Sequence, residues 1–137
     1  HRIGGGKRAQ AATELYASVR HDRKNALAYA ELGYLALTEG QAKTAVGYFD
    51  RALALSPDQT QARANRAAAR YQLRELKGAL SDIDQAILSE PGRGAHFATR
   101  ARILEAFGEN SRARKDAARA AALDESLKPS LAPLLAP

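Results

Sequence analysis

ALAYAELGYLALTEGQAKTAVGYFDRALALSPDQ, residues 26–59, decides the fold of this chain, because its pattern returns when the register advances by 34 residues. Ala45 becomes Ala79 and then Ala113, and one step back it becomes Ala11. Four residues after each alanine stands Leu15, Phe49, Ile83 or Ala117, and three further on Ser18, Ala52, Ala86 or Ala120. Pro57 and Pro91 keep the same interval. A period of this length, shared by several columns, marks a helical repeat array in which each helix pair buries its apolar face against the next.

Inside the unit the spacing predicts two helices. Tyr29, Leu32, Gly33, Leu35 and Ala36 fit a helix over residues 26–39. Gly40 ends it, as glycine does where the chain must turn left-handed. Ala45, Val46, Phe49, Ala52 and Leu53 fit a second helix over residues 41–55, and Pro57 stops it. The same reading gives helices over 61–73 and 75–88, then 95–107 and 110–123. Short turns make neighbouring helices antiparallel. The expected fold is all-α, a solenoid of stacked antiparallel helix pairs. The expected organisation is a flexible or tag-derived stretch 1–6, a trailing half repeat 7–24, and repeats at 26–59, 60–93 and 94–127. Residues 128–137, broken by Pro129, Pro133 and Pro137, form either a frayed tail or a partial cap in which Leu131, Leu134 and Leu135 cover the last pair.

Composition narrows the chemistry. There is no cysteine, which removes disulfides and thiolate chemistry. No apolar run approaches the roughly 18 residues that span a bilayer. His1, His21 and His96 are far apart, and neither a His-x-x-x-His pair nor a nucleophile elbow occurs. Asp82 and Asp84 lie two apart on a helix and so point in different directions. The expectation is a non-enzyme without cofactor or metal, with His96 a surface or packing residue. Lys7-Arg8 after three glycines lacks the spacing, hydroxyl residue and strand of a phosphate loop. Net charge is +6, with most of the excess in residues 1–24. The chain does not start with methionine, and its alanine- and arginine-rich composition suits a GC-rich bacterial genome; a piece of a larger bacterial protein is expected.

Tyr29, Leu32, Gly33, Ala45, Phe49, Ala52 and Pro57 resemble the tetratricopeptide repeat in type and spacing. So do Ala67, Ala79, Ile83, Ala86 and Pro91, then Phe97, Ala101, Ala113 and Ala120. Arg63, Arg66 and Arg70 depart from it, standing where the family often has aromatic or aliphatic residues. Repeat three has Glu125 in place of the closing proline and Ala117 in place of the bulky plug, so a weak terminal junction is expected.

The resemblance implies a right-handed α-α superhelix, with a protein or peptide partner held in an inner groove lined by the first helix of each pair. The implied lining is Leu27, Ala30, Glu31, Tyr34 and Leu37, then Gln61, Asn65, Ala68, Tyr71 and Gln72, then Ala98, Thr99, Arg102 and Glu105. Tyr34 and Tyr71 are the expected anchors, as rigid amphipathic side chains. One subfamily grips chaperone tails with a five-residue carboxylate clamp. Only Asn65 matches it, with Ala30, Tyr34, Ala95 and Thr99 at the other places.

Two other readings compete. Arg63, Arg66, Arg70 and Arg74 share a helix face, a candidate anion site for phosphate or an acidic peptide. Equally, their stems cover a neighbouring helix while the guanidinium groups pair with Glu75, Asp82 or Asp84. No aromatics interleave with them as a stacking platform requires, which argues against nucleic acid. A structural spacer in a secretion or assembly scaffold is the third reading. Arg112, Arg114, Lys115 and Arg119 read as a solubilising face, and uncapped solenoid ends invite self-association.

Overall fold

The computed structural model describes residues 6–21 and 25–137. The flexible stretch expected up to residue 5, and the part of the polar turn expected at 22–24, lie outside the described residues. Helices run α1 Gly6–His21, α2 Ala26–Thr38, α3 Ala42–Leu55, α4 Thr60–Gln72, α5 Leu76–Ser89, α6 Gly94–Ala106, α7 Asn110–Leu123 and α8 Ala132–Leu135. Two 3-10 turns, Glu125–Leu127 and Pro129–Leu131, join α7 to α8, and the described residues contain no strand. Gly6, expected to stay outside the helix, is the first residue of α1.

The array is stepwise. α2 packs on α3, α4 on α5 and α6 on α7, while α3 meets α4 and α5 meets α6. The first helices α2, α4 and α6 touch in succession, on the side where the inner groove is expected. The alanine columns explain the close approach: Ala45, Ala79 and Ala113 are completely buried, as are Ala52, Ala86 and Ala120.

The plug positions show how size is matched. Phe49 faces Gly33, where an added Cβ would lie 2.6 Å from the ring. One repeat later the pair is Ala67 and Ile83, and then Ala101 and Ala117, all fully buried. As the plug shrinks from phenylalanine to isoleucine to alanine, the facing residue gains its methyl. The third junction recovers bulk from the tail, for Leu131 and Leu134 join Ala101, Leu104 and Ala117 in one apolar cluster.

The turn inside each pair repeats as well. Gly40, Arg74 and Gly108 occupy one column with φ of 77°, 63° and 84°. In each turn this residue's N–H donates three residues back and the next N–H donates five back, as at Gly40 to Leu37 and Gln41 to Ala36. This pattern satisfies carbonyls left open at the end of the first helix.

Candidate functional site

The inner face begins on α2. Asn25 caps that helix, its side chain accepting from the Ala28 N–H at 3.0 Å. Packing then takes Ala28, Leu32, Gly33 and Ala36 inward, which leaves Leu27, Glu31 and Tyr34 outward. Leu27 is 71% exposed and Tyr34 51%. Ala30 and Leu37 are half-buried beside them.

α4 carries the middle. Gln61 and Gln72 are exposed, and Asn65, Ala68 and Tyr71 are half-buried. Gln61 donates to the Asn65 Oδ1 at 3.3 Å, so part of the Asn65 amide is already engaged. On α6, Thr99 and Arg102 are half-buried and Glu105 is exposed. The Thr99 hydroxyl donates to the Ala95 carbonyl at 3.1 Å, inside its own helix. Ala98, expected on the groove, is instead buried within the terminal apolar cluster.

The tail reaches this face. Arg102 Nη2 donates to Ser130 Oγ at 3.2 Å, and Ser130 donates to the Leu127 carbonyl at 3.0 Å. Tyr71, Arg102 and Glu105 border an open cavity of about 220 Å³, lined on the other side by Ser130, Leu131, Pro133 and Leu134. Arg114, in the second basic cluster, donates to the carbonyl of Ala136 and holds the end of the tail.

The arginine stripe is turned toward acids of the fold. Arg66 donates to both Asp82 oxygens at 2.8 Å and to Asp50 at 2.8 Å. Arg70 donates to Asp82 at 3.0 Å. Arg63 donates to the Pro57 carbonyl, and Arg74 stacks over the Tyr71 ring at 5.9 Å. Thirty-four residues on from Arg66, Arg100 donates to both Asp116 oxygens at 2.7 and 3.0 Å and to Asp84 at 3.0 Å. Each of these two arginines therefore ties the second helix of its own pair to that of the pair before. The bond to Asp82 outweighs burial and raises the Arg66 pKa, and the bond to Asp116 does the same at Arg100. Both groups stay charged in any ordinary buffer.

His96 is buried and its Nε2 lies 2.8 Å from Glu90 Oε1. Among the described residues no three His, Cys, Asp or Glu side chains gather as a metal site, and no helix is long and apolar enough to cross a membrane. The sequence reading missed the tail's place on the groove and the left-handed Arg74. The second was signalled by Gly40 and Gly108, each 34 residues away.

No family model matches the chain. Human tetratricopeptide repeat protein 36 is 35% identical over 95 residues, which are 66% of this chain and 50% of that protein. The chain belongs to the tetratricopeptide-repeat family. It spans about half the length of that curated relative. Solved structures show the same tetratricopeptide fold. MamA residues 41 to the end, from Desulfovibrio magneticus RS-1, superpose with a TM-score of 0.81 at 19% identity, over 88% of this chain and 68% of that one. The first tetratricopeptide domain of Spaghetti (RPAP3), solved bound to the HSP90 peptide SRMEEVD, gives 0.74 at 22% identity, over 82% and 92%.

Proposed function

We propose that this tetratricopeptide array is a non-catalytic interaction module that holds a peptide or helix of a partner protein in its inner groove. The observation that carries the reading is the outward pair Leu27 and Tyr34, two turns apart on a helix whose opposite face is packed. Tyr71 continues the line onto α4. An aromatic with a polar tip suits such a surface, because its ring covers area while its hydroxyl keeps a hydrogen bond.

The peptide bound to the Spaghetti domain ends in acidic residues. Ala30, Tyr34, Ala95 and Thr99 leave Asn65 as the one matching clamp position, which argues against a ligand of that kind. Polyanion binding is disfavoured because Arg66 and Arg70 of the stripe already pair with Asp82. A gel-shift titration with DNA at low salt should stay flat, since released counterions are what drive such binding.

The test is competitive capture. Tyr71→Ala/Asn65→Ala should lose a partner that the parent chain retains, with helical content unchanged by circular dichroism. Equal capture by both would remove the groove from consideration.

A further inference from the structure

A second helix, α3, carries a surface that none of the groove candidates lines. Gly47, Tyr48 and Arg51 follow Thr44 by three, four and seven residues, so the four share one face of that helix. They border an open cavity of about 200 Å³, and Arg51 also borders a second of about 350 Å³ with Tyr29, Ala54 and Leu55. We propose that these adjoining cavities form a site for an aromatic phosphate monoester. Arg51 and the neighbouring hydroxyls hold the phosphate, while Tyr29, Ala54 and Leu55 cover the ring.

The fold leaves the donors of this site unused. The Arg51 guanidinium lies over the Tyr29 ring at 5.7 Å and has no hydrogen-bond or ion-pair partner among the described residues. The hydroxyls of Thr44, Tyr29 and Tyr48 have none either. Stacking on a ring steadies a guanidinium without consuming its N–H groups, which stay available to the oxygens of an anion. No acid stands among the described residues lining either cavity, and Asp50, beside Arg51 in sequence, is taken by Arg66 at 2.8 Å.

The repeat explains why the site lies on the first pair. In repeats two and three the column of Tyr48 holds Asp82 and Asp116, each bonded by a bridging arginine. An acid at that place repels an anion. Repeat one has Tyr48 there and Leu32 in the column of the arginines, so the charge of Arg51 meets no carboxylate along this face. Gly47 leaves the floor open, for a Cβ built on it meets nothing within 4 Å. The guanidinium and the Thr44 and Tyr48 hydroxyls are three donor groups, which match the three terminal oxygens of a phosphate monoester better than the two of a carboxylate. The larger cavity falls within the roughly 300–1,000 Å³ of small-molecule sites, and an occupant there covers Leu55, which is 40% exposed. One cation neutralises one phosphate, so the site suits a single group and not a nucleic-acid backbone.

The probe is phenyl phosphate, titrated into the full chain by calorimetry and followed by amide NMR. It should bind with shifts centred on Gly47, Tyr48 and Arg51, and inorganic phosphate should bind about tenfold or more weakly because it fills one cavity alone. Arg51→Gln should weaken phenyl phosphate by a similar factor, as loss of charge-assisted bonds requires. Arg112→Gln removes an exposed cation from α7 and should change nothing. Gly47→Glu brings a carboxylate into the smaller cavity and should abolish binding. That substitution meets no atom of the fold and favours the helix, so its effect does not come from unfolding. A phosphotyrosine peptide that binds more tightly than phenyl phosphate assigns the group to a protein side chain, and equal binding assigns it to a free small molecule. The site is overturned if phenyl phosphate does not bind, if Arg51→Gln or Gly47→Glu binds it as the parent does, or if the shifts spread evenly over the arginines. Inorganic phosphate binding as tightly as phenyl phosphate overturns the place given to the ring.

Discussion

Gly33 shows how one hydrogen atom can set the size of a neighbour. Its added methyl would meet three carbons of the Phe49 ring within 2.9 Å, and that ring is fully buried. Helix propensity favours alanine over glycine by about 1 kcal/mol, but overpacking costs about 1–3 kcal/mol. Gly33→Ala should therefore lower the melting temperature in a thermal scan. Gly33→Ala/Phe49→Ile should restore most of it, because that is the pair Ala67 and Ile83 already make. Arg74 is the opposite case. Its positive φ costs an L-residue about 1–2 kcal/mol, and its stacking over Tyr71 returns about 0.5–1 kcal/mol at an exposed site. Arg74→Gly should raise stability by up to about 1 kcal/mol in urea titrations. A lower midpoint would mean that the stacking outweighs the backbone.

Among the helices, the decisive contact is the arginine bridge from each second helix to the one before. Arg100 keeps 22% of its side-chain surface and Asp116 11%, so the pair is only partly withdrawn from water. Asp116→Ala should cost about 2–4 kcal/mol, below the full penalty for a deeply buried charge left alone. Repeat one solves the same contact with Leu32 and Tyr48. Arg100→Leu/Asp116→Tyr should accordingly melt within about 1 kcal/mol of the parent, since apolar replacements of such pairs are often neutral. The raised arginine pKa values add a sign. Their contribution is present below the unfolded value and fades only as pH climbs through the higher folded one. Between neutral pH and about pH 10 the arginine half should not titrate at all, given that guanidinium is effectively always charged.

At the scale of the molecule, much of the architecture was legible before any coordinates. The alanine columns place the helices, because a small residue at fixed intervals has one physical use in a helix pair: close approach. The inward turn of Arg66 was less legible. A guanidinium on a long stem can reach water or a carboxylate from the same Cα, and the choice depends on where Asp82 arrives in space. The tail was harder still. Its prolines predict breaks but not a destination, and the burial of Leu131 depends on the room left by Ala117. The groove candidates were read as positions on first helices, which the array fixes. Ala98 lies on such a helix yet is covered, because the segment that covers it belongs to no repeat.

The bridging arginines also make this array extensible. A duplicate of residues 60–93 placed after residue 93 would bring its own Arg66 equivalent to Asp84, and its Asp84 equivalent would then meet Arg100. Both splice points would find complementary charge without a single redesigned position. Such a lengthened protein should melt higher than the parent in calorimetry, as nearest-neighbour coupling in stacked units requires. The chain thus carries, in its ionic joints, the means of its own growth by copying.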